Sequence, residues 1–133
     1  MPGEKDLTTL LKTMRPTLND GDYVFCVLPE LGAIPLDEVL MLFKEAEGYT
    51  IILTRATADH YQLAYSFVAS WITLSVHSDL EAVGLTAAFA NALADGDVSC
   101  NVVAAFYHDH IFVDKKDARK AMEILEHLSL QAG

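Results

Sequence analysis

The stretch Trp71-Ile72-Thr73-Leu74-Ser75-Val76-His77-Ser78-Asp79-Leu80-Glu81-Ala82-Val83-Gly84-Leu85-Thr86 changes its hydrophobic period partway along. Over 70–76 apolar and polar residues alternate, the period of a half-buried strand. Beyond Gly84 the apolar residues Leu85, Ala88, Phe89, Ala92 and Leu93 recur at helical spacing. Ser78-x-x-Glu81 has the form of a capping box that would start the helix at Ser78. Gly84 aligns with Pro35, a favoured first helical residue, in the internal repeat described below, so the helix is placed at 84–94 and 77–83 is a loop. Downstream, Asp95-Gly96-Asp97 ends the helix, 98–106 reads as a strand, Tyr107-His108-Asp109 as a tight turn and 110–113 as a short strand. Asp114 then caps a last helix with Ala118, Ala121, Met122, Leu125 and Leu128 inward.

Upstream, the same plan is visible. Leu7, Leu10, Leu11 and Met14 predict a helix capped by Asp6 and ended at Arg15-Pro16. Residues 19–22 form a turn and 23–28 a strand with Tyr23, Phe25 and Val27 on one face. A loop over 29–35 leads to a helix from Pro35 to about 46 with Leu36, Val39, Leu40 and Phe43 inward, stopped by Gly48. Strands are expected at 49–55 and 61–67, with a turn at 56–60. An offset of 79 − 30 = 49 superposes the two halves. It pairs Tyr23, Phe25 and Val27 with Ile72, Leu74 and Val76, Glu30-Leu31 with Asp79-Leu80, Ala33-Ile34 with Ala82-Val83, Leu36 with Leu85, and Leu40 with Phe89. The fold class is therefore α+β, two βαββ units with antiparallel sheets and helices on one face. The units are set at 1–68, a helix then βαββ, and 69–133, βαββα.

The chain has 133 residues, about half of them apolar, and a formal charge of −10. Such a charge repels phosphate backbones, so nucleic-acid binding is not expected. No apolar run is long enough to span a bilayer and no secretory signal is visible, so no membrane partner is expected. The two cysteines, Cys26 and Cys100, sit in apolar runs and suit a reducing cytoplasm. No nucleophile elbow, phosphate loop or dinucleotide fingerprint occurs, so an enzyme is not expected, nor a cofactor. His77, Asp79 and a nearby serine lie in one local segment rather than converging as a triad. His108 and His110, at i and i+2, make half of a metal site and lack a third ligand in paired spacing, so no metal is expected. Trp71, Tyr61, Tyr65 and Phe67 are read as packed interior.

Residues 71–86 quoted above, with Ser99-Cys100-Asn101-Val102-Val103-Ala104-Ala105-Phe106 and His108-Asp109-His110-Ile111-Phe112-Val113, resemble the ACT domain family. Those domains are small, ferredoxin-like and regulatory, and they bind amino acids. The likeness is nearest to stand-alone tandem ACT proteins of bacteria. The second unit is also similar to the tandem-ACT cytosolic arginine sensor of animals, whose turn carries an Asp-His pair. Two departures stand out: Val83 replaces the usual proline before Gly84, and each unit lacks a closing strand after its second helix. The 7–14 helix can stand in for the first unit's missing helix in a permuted arrangement.

The resemblance implies a non-catalytic regulatory module that senses an amino acid at the interface between ACT-like units. Its ligand would lie against the loop that precedes the first helix, with backbone N–H groups on the carboxylate and an acidic side chain on the ammonium. Candidate ligand residues are Asp79, Glu81, Val83, Gly84, Leu85, Thr86 and Asp109, with Glu30 and Ile34 in the first unit. A homodimer and a separate regulated protein are expected partners. A pure protein-interaction module that binds no metabolite is the alternative.

Overall fold

The structure, a computed structural model, describes residues 6–76 and 83–132. It comprises two compact units, and the chain order does not divide them simply: residues 6–19 belong with 71–132, and Asp20–Ser70 forms the other unit.

The elements are α1 (Leu7–Thr13), β1 (Arg15–Leu18), β2 (Tyr23–Leu28), a 3-10 turn (Leu36–Glu38), β3 (Met41–Glu45), β4 (Gly48–Thr54) and α2 (Arg55–His60). There follow β5 (Val68–Ser75), α3 (Leu85–Asp95), β6 (Asn101–Ala104), β7 (Asp109–Asp114), a 3-10 turn (Lys115–Asp117) and α4 (Ala118–Gln131).

In the Asp20–Ser70 unit the strands run β3-β4-β2, and the start of β5 (Val68, Ala69) closes the sheet antiparallel to β2. The core lies on the α2 side. It joins Val24, Cys26 and Leu28 of β2 with Ile51 and Leu53 of β4 and Ala58 of α2. In the other unit β1 is the edge strand, registered Arg15↔Ser75 through Leu18↔Ile72, followed by the rest of β5, then β7 and β6. Here α1, α3 and α4 bury Leu10, Met14, Phe89, Leu93, Ala121 and Leu125 against Ile72, Leu74, Ile111 and Val113. The missing closing strands are thus supplied without a strand after α4: β5 serves the unit before it, and β1, from the N-terminus, serves the unit after. The 7–14 helix does not stand in for the first unit's missing helix: α1 packs with α3 and α4 in the unit that contains 71–132.

Four local expectations need correction. The helix at 35–46 is a single 3-10 turn followed by β3. Val39 to Phe43 is a continuous apolar run, and pairing with β4 satisfies its backbone while Leu42 packs inward and Phe43 faces out. Gly48 ends no helix. It begins β4 at φ +153°, and a Cβ there would lie 3.0 Å from Val27 Cγ1 and 3.2 Å from the Leu28 carbonyl oxygen. The turn at 56–60 is helix α2, capped by the Thr54 hydroxyl, which accepts from the Thr57 N–H. No strand occupies 61–67. Tyr61 and Tyr65 are half-buried with their rings against the unit's core, and their hydroxyls donate at the surface to Glu38 Oε2 at 2.6 Å and Asp59 Oδ1 at 2.7 Å.

The repeat itself is slipped by one residue on β2. The inward residues are Val24, Cys26 and Leu28, which match Ile72, Leu74 and Val76 at an offset of 72 − 24 = 48. An error of one in a period of two exchanges the faces of a strand.

Candidate functional site

Gly84 adopts φ +99° just before α3 and caps it without a side-chain hydrogen bond. A Cβ at that position would come 3.2 Å from Leu7 Cδ2, so the glycine also lets α1 approach the start of α3. The first N–H groups of α3 carry the positive end of an eleven-residue helix. Val83 stands 84% exposed and Thr86 is exposed, whereas Leu85 is buried in the core. Asp79 and Glu81 lie outside the described residues.

Asp109 opens β7 and is half-buried, on the side of the strand that carries Ile111 and Val113 into the helix layer. Burial holds its carboxyl above the usual carboxylate range, opposed in part by the neighbouring His108. Its neighbour His110 faces the other way, onto the face of the sheet opposite the core formed with α1, α3 and α4. There Trp71 Nε1 donates to His110 Nδ1 at 3.0 Å, and Thr73 Oγ1 lies 3.2 Å from the same nitrogen. Asn19 Nδ2 donates to Thr73 Oγ1 at 3.0 Å and to the Trp71 carbonyl at 3.2 Å. An indole N–H can only donate, so Nδ1 is bare and the ring carries its proton on Nε2. Nδ1 is taken up by these hydrogen bonds, and among the described residues no group of three His, Cys, Asp or Glu side chains is placed to hold a metal ion.

The string Asn19–Thr73–His110–Trp71 was not foreseen, because Asn19 reads as a turn residue. Its signal lies in the alternation: Trp71, Thr73 and Ser75 occupy the face opposite Ile72, Leu74 and Val76. Burial, then the charge of His108, holds His110 below the usual imidazole range. For such a base the folded state favours the neutral form. Its stabilising contribution is complete above the unfolded value near 6.5 and is lost as pH falls from there toward the lower folded value. Melting temperatures taken from pH 8 to pH 5 should therefore fall less steeply for His110→Gln than for the parent. The single tryptophan, Trp71, should report the same step in its emission. Identical pH slopes in parent and variant would refute this coupling.

The two cysteines sit in apolar surroundings that raise both thiols, Cys100 to about 11, so they stay protonated and poorly nucleophilic at neutral pH.

Glu30 and Ile34 belong to the other unit, on the segment between β2 and β3. Glu30 is exposed, and Ile34 is buried beneath the loop. Around it lies an apolar cleft of about 320 Å³ bounded by Leu28, Leu31, Ile34, Leu36, Val39 and Leu42. Its sequence signal is Pro29, Gly32 and Pro35 within seven residues, spacing that resists a helix.

An ACT domain family model matches residues 2–70, and a second ACT domain family model matches residues 66–127. A comparison with curated proteins found no match. Among solved structures, a Vibrio cholerae protein of unknown function, described as a possible transport protein, is 45% identical. It superposes with a TM-score of 0.84 over 94% of this chain and 97% of that one. The ligand-free regulatory subunit of aspartate kinase from Thermus thermophilus is 8% identical, with a TM-score of 0.61 over 89% of this chain and 98% of that one. E. coli aspartokinase III in complex with aspartate and ADP is 11% identical, with a TM-score of 0.58 over 90% of this chain and 33% of that one. The last two likenesses concern the fold alone.

Proposed function

This chain belongs to the ACT domain family, a family of regulatory domains, and on that premise we propose that it is a non-catalytic module that senses a free amino acid. The observation that carries the reading is the start of α3. Gly84 has no side chain with which to cap the helix's first N–H groups, and among the described residues it is flanked by exposed Val83 and Thr86. Those groups suit a ligand carboxylate. Asp109, Asp79 and Glu81 are the acidic candidates for the ammonium group. Glu30 and Ile34 are the weaker pair: with Ile34 in the core, a ligand there would meet backbone and aliphatic surface. We place the protein in the cytoplasm, as a homodimer that acts on a separate protein. Among the described residues no helix is long and apolar enough to cross a membrane.

The test is a melting screen against the twenty amino acids. A ligand at 100 times its dissociation constant that binds only the folded state stabilises by roughly 2.7 kcal/mol. That should raise the melting temperature by roughly 5–15 °C in a domain of this size. Asp109→Ala should abolish the ligand-induced rise while the unliganded variant still melts cooperatively. If no amino acid moves the midpoint at millimolar concentration, the sensor reading fails.

A further inference from the structure

We propose that the apolar cleft between β2 and β3 is a docking site for a basic amphipathic helix of a separate protein. The proposal does not depend on amino-acid binding. Its first support is a comparison of the two units. After its first strand, the C-terminal unit runs into α3, whose Phe89 and Leu93 are wholly buried over the sheet. The same place in the Asp20–Ser70 unit holds only the 3-10 turn Leu36–Glu38, and a cleft of about 320 Å³ remains. Its mouth is apolar: Leu31 is 54% exposed and Leu36 68%. Exposed leucines beside an unfilled cleft mark an interaction surface better than scattered ones do. What the fold lacks here is a helix, so a helix bearing leucine-like side chains at i, i+3 or i+4 and i+7 is the complementary shape.

Charge selects the occupant. From Asp20 to Phe43 the chain contains no Lys, Arg or His, but it carries Asp20, Asp22, Glu30, Asp37 and Glu38. Glu30, Asp37 and Glu38 lie on the segment that frames the cleft and are exposed. At this acidic mouth a segment rich in Lys and Arg would be steered in, whereas a second copy brings a net charge of −10 to it, so the proposed homodimer would form through another face.

The probe is a fluorescein-labelled 14-residue peptide with leucine on one helical face and lysine on the other, titrated with the full chain by anisotropy. Its counterpart with glutamate in place of lysine is the control. The lysine peptide should bind saturably at micromolar concentration, more weakly as salt is raised, and the glutamate peptide should not. Leu31→Ser with Leu36→Ser changes no charge and removes exposed side chains only, so it should fold and lose about tenfold in affinity. Phe43→Ser, 64% exposed on the opposite face of the sheet, should bind as the parent does. Equal binding by the Leu31/Leu36 double variant would reduce the effect to bulk charge and overturn the proposal, as would the absence of saturable binding. Self-association in sedimentation that the double variant abolishes would make the occupant a second copy and equally overturn it. An amino-acid thermal shift retained in the double variant separates this site from the one at α3.

Discussion

A chain lacking residues 1–19 should show no cooperative unfolding of its C-terminal unit. The fragment 71–132 joined by a glycine-serine linker of about eight residues to 6–19 should fold on its own. The reason is that α1 and β1 are integral parts of that unit. Leu10 and Met14 are wholly buried among Ile72, Leu74, Phe89 and Leu125. Truncating a buried Leu or Met to alanine alone costs about 2–5 kcal/mol. The deletion removes both, together with the edge pairing of β1 to β5. Arg15 Nη1 also donates to the carbonyls of Lys12 and Met14 at 2.8 and 2.9 Å, and Ser129 Oγ donates to Met14 O at 3.2 Å, tying the end of α1 to α4. The combined loss is comparable with the whole stability of a small domain, about 5–15 kcal/mol. The linker is short because Ser129 already lies against Lys12, and α1 runs back only about 10 Å to Leu7. Far-ultraviolet circular dichroism melts and amide-proton dispersion would read both fragments. A truncated chain that melts like the parent would show that α1 and β1 are dispensable decoration.

That arrangement explains which parts of the fold were legible. Helices α1, α3 and α4 were found because each has a 3.6-residue stripe, and α1 also has a clear boundary signal; Asp114, read as the cap of the last helix, caps the 3-10 turn Lys115–Asp117 ahead of α4. For α1 the carboxylate of Asp6 accepts from Thr9 N–H at 3.0 Å. The strand over 70–76 was found because it alternates cleanly, although β5 starts earlier, at Val68. The four-residue β1 was not found. It contains Pro16, and its pairing with Thr73 and Leu74 across more than fifty residues leaves no local trace. Periodicity says that a helix is amphipathic but not which sheet it covers, so α1 was read with 1–68, a span that the first family model also takes in, whereas its contacts lie with 71–132. At the candidate site the helix start around Gly84 was legible from its glycine and the break in period. Asp109 was legible as a turn acid. The Trp71–His110 hydrogen bond was not, because it joins opposite faces of local patterns that each looked complete alone.

The last expected result tests the place where the two halves part company. The repeat offset pairs Leu40 with Phe89, 40 + 49 = 89, and treats both as inward residues of equivalent helices. In the structure Phe89 is wholly buried in α3, while Leu40 lies 40% exposed just before β3, its backbone N–H donating to the Ile52 carbonyl at 2.8 Å. Phe89→Ala should therefore cost about 3–5 kcal/mol, the range for an aromatic side chain removed from a packed core. The melting temperature should drop by roughly 10–20 °C. Leu40→Ala should cost under about 1 kcal/mol, because water already reaches much of the side chain and the backbone bond survives the change. Urea unfolding of both variants, with equal slopes, would compare them directly. Comparable losses would mean that residues 35–46 form a second packed helix after all. In that case the cleft beside Leu36 would be closed, and the docking site proposed for it would have no room to exist.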